Sequence, residues 1–260
     1  MSDACTAGVI ATADPEACPI TADVAWAAAW LDDRDYDSAP VYEDGRPIGY
    51  VTRAAVADAP AGASLDDVVE SLTVDVLIAG DAPLDEVLEA LYERPFYYLA
   101  DRSEVTGVLT RADLNTEPVY QHLYTKLSRL EQVLRETILE YAPEWQETAP
   151  IPPDVLDDID SRLADAKAAG VALDPVHYAQ FSTLVTIVAG SERCSKALGF
   201  DAGHQASSRL SAVTELRNDV AHATPILQNT EQGLTESGRT VTNLLDQYRL
   251  IDELLTLQNE

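Results

Sequence analysis

Residues 40–55 and 98–113 carry the sequences PVYEDGRPIGYVTRAA and YLADRSEVTGVLTRAD, which align without gaps. Each position in the first copy matches the position 58 residues later, so that Gly49 falls on Gly107. Self-similarity at a fixed spacing indicates a supersecondary unit that is used more than once. The first half of the chain is therefore predicted to contain two copies of one small fold.

Each copy predicts a helix followed by a β-hairpin. Two β-rich runs flank a short polar connector, which is the hairpin signal, and an amphipathic helical pattern lies upstream. A further strand is expected at Val74–Ile78, before the second helix. Strands are expected at 38–42, 48–51, 96–100 and 105–109, and helices at 22–31 and 83–92, with Asp23 and Asp81 near the helix starts.

This order of elements, with a Gly-x-x-Thr motif at the end of each hairpin, resembles the CBS domain pair, or Bateman module. The resemblance covers about residues 15–115, inside a domain of residues 1–115. It places the first repeat at about 15–58 and the second at about 62–115. It implies a mixed α/β sensor module, or alternatively a module that only dimerises or docks.

In CBS pairs, a Gly-x-x-Thr-x-x-Asp motif commonly marks an adenosine-ligand site, and the second copy carries it whole as Gly107, Thr110 and Asp113. The resemblance implies that Asp113 holds the ribose hydroxyls and that Thr110 contacts the phosphate. An ionised carboxylate can accept from two vicinal hydroxyls, and glycine permits close backbone approach. An alternative stays open, in which Thr110 caps a helix and Asp113 is a solvated acid of its first turn.

The first copy departs from the motif, because Ala55 stands at the aspartate position. One occupied site is therefore favoured over two, although Thr52 keeps the hydroxyl. Arg53 and Arg111, beside the two threonines, are candidate phosphate contacts, and Phe96 is a candidate apolar surface for a purine. The expected ligand is AMP, ADP or ATP, or alternatively S-adenosylmethionine.

Beyond residue 115 the pattern changes to apolar side chains at steps of three or four residues. Residues 116–260 are predicted to form an antiparallel bundle of four or five helices. The fold class is therefore α+β, with tandem CBS-like repeats followed by an all-α bundle. The expected helices span about 119–141, 154–169, 177–198, 206–223 and 230–257.

The fourth of these helices contains an Arg-x4-His motif, formed by Arg217 and His222, with Asn218 beside the arginine. This motif in an all-helical domain resembles the HEPN domain, a bundle that is often dimeric and occurs in nucleotide-handling proteins and RNA-cleaving toxins. The resemblance implies metal-free RNA cleavage. His222 would be the general base or acid, Arg217 would stabilise the phosphorane, and Asn218 would orient the phosphate or the imidazole.

Helix geometry leaves the role of this motif open. At 100° per residue, Arg217 and His222 diverge by about 140°, and in HEPN domains paired helices across a dimer interface bring two such motifs together. The alternative is that both side chains form surface ion pairs with Glu215 and Asp219.

Acidic residues dominate the composition, with 45 Asp and Glu against 17 Lys and Arg and a formal net charge of -28. Self-repulsion at this charge is screened in molar salt, where the screening length is about 3 Å. The composition therefore predicts adaptation to a salty cytoplasm. Because the acids are spread along the chain, they do not exclude an RNA partner, and no DNA binding is indicated.

The three cysteines show no Cys-x-x-Cys spacing, so neither a disulfide framework nor a zinc site is expected. His122, His177 and His204 have no ligand residues at metal-binding intervals, and no metal is predicted. The sequence shows no signal peptide and no run of about 18 apolar residues. The expected location is the cytoplasm, away from membranes.

Together these patterns predict a regulatory protein in which an adenosine-nucleotide-sensing CBS pair controls a HEPN-like domain, itself a candidate metal-independent endoribonuclease. The expected partners are a second copy of the chain, the nucleotide and RNA. The alternative is a non-catalytic scaffold that dimerises or docks a partner protein.

Overall fold

The computed structural model describes residues 5–60, 62–102, 104–228 and 238–257. The chain divides into two compact units, Met1–Val119 and Tyr120–Glu260. The N-terminal unit combines short helices with two small sheets, and the C-terminal unit is helical. The predicted α+β class, with the mixed part first, is confirmed.

The N-terminal unit contains two helix-and-hairpin repeats, and the predicted helices and hairpin strands are present within a few residues. Short 3-10 turns add to them at Leu65–Asp67, Val74–Val76 and Arg111–Asn115. The elements are α1 (Ala7–Ile10), β1 (Thr12–Ala13), β2 (Cys18–Pro19), α2 (Val24–Arg34), β3 (Ser38–Glu43), β4 (Arg46–Thr52), α3 (Arg53–Ala57), α4 (Leu84–Glu93), β5 (Phe96–Asp101) and β6 (Glu104–Thr110).

The first hairpin turns at Asp44 and Gly45, whose φ angles are 48° and 76°. Two central residues with positive φ define a type I′ turn, whose twist matches that of the flanking strands and which favours Asp-Gly. Glu43 pairs with Arg46 and closes the loop. The polar connector of the first copy thus forms the turn that its sequence predicts.

Backbone pairing links the two repeats. The sheets have the orders β2-β3-β4 and β1-β6-β5. Thr12 of β1 pairs with Val108 of β6, whereas Glu70, which stands 58 residues after Thr12, pairs with Tyr50 of β4. Thr12 and Glu70, which occupy matching positions before the two hairpins, therefore each lie beside the hairpin of the other copy.

An aromatic cluster joins the two repeats. Tyr50 of β4 and Tyr98 of β5 are almost fully buried, and both pack against Phe96 with ring centroids 5.5–5.7 Å apart. The Tyr98 hydroxyl donates to Ser38 Oγ at 3.0 Å. Buried, hydrogen-bonded aromatic side chains hold such an interface in one arrangement.

The predicted strand at Val74–Ile78 is wrong. Its first half is the 3-10 turn Val74–Val76, and Leu77 makes one isolated parallel bridge to Tyr98. The Thr73 hydroxyl bonds to the Asp75 carboxylate, and such local polar contacts compete with strand pairing. Sequence patterns also missed α1, β1 and β2, because each has four residues or fewer.

The helices of the C-terminal unit follow from α5, whose first turn contains the boundary between the units. The predicted helices at 119–141, 154–169 and 206–223 are present. Gly170, with φ of 72°, ends the second of them as expected. The helices are α5 (Glu117–Tyr141), α6 (Trp145–Thr148), α7 (Pro153–Ala169), α8 (Phe181–Gly190), α9 (Glu192–Ala197), α10 (Gly203–His222) and α11 (Val241–Leu257).

The single helix predicted at 177–198 is wrong. A 3-10 turn at Pro175–Tyr178 precedes α8, and α9 follows after a break. Ser191 has extended backbone angles at this break, and its Oγ accepts from the Cys194 N–H at 3.3 Å. Serine caps a helix start better than it continues a helix.

The fifth helix, predicted at 230–257, begins later than expected. Residues 230–237 lie outside the described residues, 238–240 are not helical, and α11 starts at Val241. The Thr240 hydroxyl accepts from the Asn243 N–H at 3.2 Å, and Asn243 Oδ1 accepts from the Thr240 N–H at 3.1 Å. This reciprocal cap fixes the start.

Candidate functional site

Thr110 and Asp113 form a capping box where β6 passes into the 3-10 turn Arg111–Asn115. Asp113 Oδ2 accepts from the Thr110 N–H at 2.6 Å and from the Thr110 hydroxyl at 2.8 Å. Thr110 therefore caps the turn, as one of the two sequence interpretations states.

Asp113 is buried, with 8% of its surface exposed, so the expectation of a solvated acid is wrong. Its Oδ1 accepts from the Thr12 hydroxyl at 3.3 Å, the longest of its three side-chain hydrogen bonds. Burial raises the pKa of Asp113, and the hydrogen bonds from Thr110 and Thr12 lower it. A ligand hydroxyl that bonds to Oδ1 would take the place of Thr12.

Each of the two candidate phosphate arginines donates to a backbone carbonyl. Arg53 Nε donates to the Tyr36 carbonyl at 3.1 Å, and Arg111 Nε donates to the Leu91 carbonyl of α4 at 3.0 Å. Leu91 is in the last turn of α4, where a cationic donor satisfies a carbonyl group that the helix leaves open, whereas Tyr36 lies just beyond the end of α2. Both arginines thus have a structural role that the sequence did not indicate.

The two arginines differ in the charge around them. Arg53 lies within 4.0 Å of three carboxylates, those of Asp32, Asp35 and Asp37. Arg111 forms no ion pair with any residue that the structure describes. The second copy is therefore the better place for a phosphate.

The two motif glycines meet neighbouring backbone. A Cβ on Gly49 would lie 2.3 Å from the Glu70 carbonyl oxygen, which is a steric clash with backbone. A Cβ on Gly107 would lie 3.4 Å from the Thr12 carbonyl oxygen, an ordinary contact. The backbone of Glu70 leaves no space for a side chain at position 49, so a glycine is required there. At position 107 a Cβ atom can be accommodated beside Thr12.

The remaining candidates lie beside the same motif. Phe96 is the register partner of Thr110 across the second hairpin. Thr52 repeats the role of Thr110, because its Oγ1 accepts from the Ala55 N–H at 3.1 Å and caps α3. The structure thus brings Thr110, Arg111, Asp113 and Phe96 to one end of the second hairpin, with Gly107 in the middle of β6, and it leaves Thr52 and Arg53 at the end of the first.

The C-terminal unit contains a cavity of about 530 Å³, which falls in the size range of ligand pockets. Five segments enclose it, namely α5, α7, the 3-10 turn at 175–178, the start of α8 and the last two turns of α10. Its polar lining includes Glu131, Arg162, His177, Arg217, Asn218 and His222.

All three predicted catalytic residues line this cavity within one chain. Arg217 Nη1 lies 3.5 Å from Asn218 Oδ1. Within the described part of the chain, no carboxylate lies within ion-pair distance of Arg217 or His222, so the expected pairing with Glu215 and Asp219 is wrong. Both side chains line the cavity despite the angle of about 140° between them around the helix.

Asp219 is engaged elsewhere. Its Oδ2 accepts from Arg239 Nη1 at 2.8 Å, and its Oδ1 accepts from the Thr224 hydroxyl at 2.9 Å. The Arg239 side chain is only 7% exposed, and it also donates to the Ile226 carbonyl. This pair with the buried Arg239 draws the Asp219 carboxylate away from Arg217.

Sequence patterns missed the other charged residues of the cavity. His177 was expected at the start of a helix, and it lies instead in a 3-10 turn that contacts α7. Arg162 pairs with Asp158 at 2.8 Å, and Glu131 pairs with Arg135 one turn away. No local motif links these residues to Arg217, because tertiary packing alone brings them together.

Comparison with known proteins agrees with the N-terminal geometry. Residues 7–62 match the CBS domain family. No curated protein matches the chain. Solved structures with similar folds each cover 42% of this chain, and this likeness concerns the fold alone.

Three of these structures illustrate the likeness. The CBS domain pair of protein MJ0100, solved with 5′-methylthioadenosine and S-adenosyl-L-methionine, is 19% identical, is covered over 91% of its length and gives a TM-score of 0.37. A hemolysin-like protein containing a CBS domain from Oenococcus oeni is 17% identical, with 86% covered and a TM-score of 0.35. CBSX2 in complex with AMP is 17% identical, with 92% covered and a TM-score of 0.37.

Two properties hold for the residues that the structure describes. No helix among them is both long and apolar enough to cross a membrane. No group of three or more His, Cys, Asp or Glu side chains in the same residues is arranged to hold a metal ion.

Proposed function

We propose that the chain is a regulatory protein in which an adenosine nucleotide, bound by the CBS repeats, controls RNA cleavage by the helical unit. The observation that supports RNA cleavage is that Arg217, Asn218 and His222 line one cavity. Arg217 has no carboxylate partner among the described residues, so its charge is available to a phosphate.

The cavity residues suit a metal-independent reaction. His222 transfers a proton between the RNA and the solvent, because an imidazole holds or releases a proton near neutral pH. Arg217 stabilises the charge that develops on the phosphorane oxygens. Asn218, within reach of Arg217, orients the phosphate or the imidazole.

A matched pair of histidine variants tests RNA cleavage. His222→Ala should lower the cleavage rate at least about 100-fold, which is the usual contribution of a proton-transfer group. His204→Ala is the control, because His204 lies at the start of the same helix and outside the cavity. The assay uses labelled RNA in molar KCl with EDTA. Equal cleavage by both variants, or no cleavage by the wild type, removes the proposal.

We also propose that the nucleotide binds at the end of the second hairpin. The match of residues 7–62 to the CBS domain family supports a sensor module there, since the second repeat aligns with the first. Arg111 is not paired with a carboxylate in the described structure, and Asp113 offers Oδ1 to a ribose hydroxyl in place of Thr12. AMP, ADP, ATP and S-adenosylmethionine are the ligands to test.

Salt adaptation and dimerisation complete the proposal. The net charge of -28 supports a protein suited to high salt. On α5, Tyr124 is 61% exposed and Leu139 is 38% exposed, and they lie about 60° apart around the helix. A homodimer that covers this face accounts for their exposure. Sedimentation of the wild type and of Tyr124→Arg tests it, since the arginine should weaken the dimer.

The same face of α5 supports a second candidate function, that of a non-catalytic scaffold. In this case the helical unit only docks a partner or a second copy, while the CBS repeats report the nucleotide. The outcome that favours the scaffold is nucleotide binding by a protein that cleaves no RNA.

A further inference from the structure

The cavity in the helical unit holds two histidines. His222 belongs to the Arg-x4-His motif, whereas His177 comes from the 3-10 turn at 175–178. The whole sequence has four histidines, so half of them line this one cavity. Of the others, His122 contacts the Tyr248 hydroxyl at 3.0 Å and His204 lies at the start of α10.

The charge of the cavity fits a phosphodiester. Arg217 and Arg162 both line it, and Arg162 also forms an ion pair with Asp158. Its one carboxylate, that of Glu131, is paired with Arg135 on the same helix. In a chain with 45 acidic and 17 basic residues, two arginines and two histidines around one space form an unusual site for an anion.

Cleavage of an RNA backbone without metal needs two proton transfers. One group takes the proton of the 2′-hydroxyl as its oxygen attacks phosphorus, and another gives a proton to the departing 5′-oxygen. The Arg-x4-His motif supplies one imidazole per chain, and its resemblance places the second on another chain. The cavity supplies both imidazoles from a single chain.

Resting on the proposed RNA cleavage, we infer that His177 is the second proton-transfer residue of this cavity. One neutral imidazole of the pair removes the 2′-hydroxyl proton. The bond between the 2′-oxygen and phosphorus forms as the bond between phosphorus and the 5′-oxygen breaks. The other, protonated imidazole donates to the 5′-oxygen. The products are a 2′,3′-cyclic phosphate and a 5′-hydroxyl, and exchange with water restores both imidazoles.

Two substrates separate proton transfer from binding. The first is an oligoribonucleotide, and the second is uridine 3′-(4-nitrophenyl phosphate), whose leaving group departs without a proton. On RNA, His177→Ala and His222→Ala should each lose at least about 100-fold in rate, while His204→Ala stays at the wild-type rate. On the nitrophenyl ester, one of the two cavity variants should recover to within about tenfold of the wild type. His177 is exposed, so His177→Ala should fold normally, and circular dichroism checks this.

The outcomes distinguish the inference from the proposal on which it rests. The inference alone is overturned if His177→Ala cleaves RNA at the wild-type rate while His222→Ala does not. It is also overturned if neither variant recovers on the nitrophenyl ester, because His177 then acts only in binding. If the wild type itself cleaves no RNA, the proposed function fails as well.

Discussion

Asp113 serves local structure and the proposed ligand site with the same carboxylate. Oδ2 is committed to the backbone and hydroxyl of Thr110, at 2.6 and 2.8 Å. Oδ1 accepts a single longer bond from Thr12, which belongs to the strand contributed by the other repeat. A ribose hydroxyl can replace this bond and leave the capping box intact.

Asp113→Asn should become more stable relative to the wild type as the pH rises. Burial raises the pKa of Asp113, so the native state keeps a proton that the unfolded chain loses above its ordinary value of 3.8. The contribution of Asp113 to stability is therefore greatest below that value, falls as the pH rises, and levels off above the native pKa. Asparagine keeps an oxygen for Thr110 and carries no charge.

Urea unfolding at a series of pH values in constant molar salt measures this difference. Asp101→Asn is the control, because Asp101 is exposed at the end of β5. An advantage of Asp113→Asn that stays constant between pH 3 and pH 8, or that grows toward acid, would contradict the burial argument.

Arg111→Ala should lose affinity for the nucleotide, and Arg53→Ala should keep it. Arg53 shares its charge with Asp32, Asp35 and Asp37, whereas Arg111 bonds to the Leu91 carbonyl. Loss of one charge-assisted hydrogen bond to a phosphate costs about 1.5–3 kcal/mol, or at least about tenfold in affinity. Calorimetric titration with AMP, ADP, ATP and S-adenosylmethionine measures it. Equal affinities in both variants place the phosphate elsewhere.

The hairpins and the segments exchanged between them explain why the two Gly-x-x-Thr motifs behave differently. Gly49 of β4 is touched by Glu70, while Gly107 of β6 is approached less closely by Thr12. Gly49→Ala should therefore destabilise the protein by about 3 kcal/mol, as overpacking of a close contact does. Gly107→Ala should cost about 1 kcal/mol or less. Equal unfolding midpoints of the two variants would show that the segment around Glu70 is not packed against β4.

The elements that the sequence predicted well are those with local signals. The Asp44-Gly45 turn requires positive φ at both positions, and Asp-Gly supplies it. Gly170 at the end of α7 is equally explicit. In α5, the expected apolar stripe is buried from Val119 to Ile138, although Tyr141, expected at its end, is 38% exposed.

The elements that the sequence predicted poorly depend on partners far along the chain. The helical pattern shows no break at Ser191, so periodicity alone predicted one helix. In the structure the Ser191 cap starts a second helix. The strand expected at Val74–Ile78 has the right residues, but only Leu77 and Ile78 reach a partner, through a single bridge to Tyr98. β1 is two residues long and is defined by its register with β6, which no local pattern contains.

The charge of the whole chain predicts a dependence of stability on salt. At -28, the folded chain repels itself in dilute buffer, and the screening length falls from about 10 Å at 0.1 M salt to about 3 Å at 1 M. The urea midpoint should therefore rise steadily between these concentrations of KCl. A midpoint that does not change with KCl contradicts the salt adaptation.

The candidate sites were predictable in their motifs and unpredictable in their surroundings. Arg217 and His222 were found from spacing, yet their common cavity depends on α7 and α8, which lie up to 60 residues earlier in the chain. The ion pair that holds the Asp219 carboxylate away from Arg217 likewise depends on Arg239, which stands 20 positions later in the chain. The burial of Asp113 depends on Thr12, which stands 101 positions before it.

The most direct test of the account is the initial rate of RNA cleavage by the wild-type chain, in molar KCl and EDTA, as nucleotide is added. The account predicts that the rate changes with nucleotide and reaches half of the change at the dissociation constant found by calorimetry, because ligands act only through their differential affinity for two states. Arg111→Ala should shift the curve to higher nucleotide concentration. A cleavage rate that is zero, or that is unchanged at saturating nucleotide, would contradict the account.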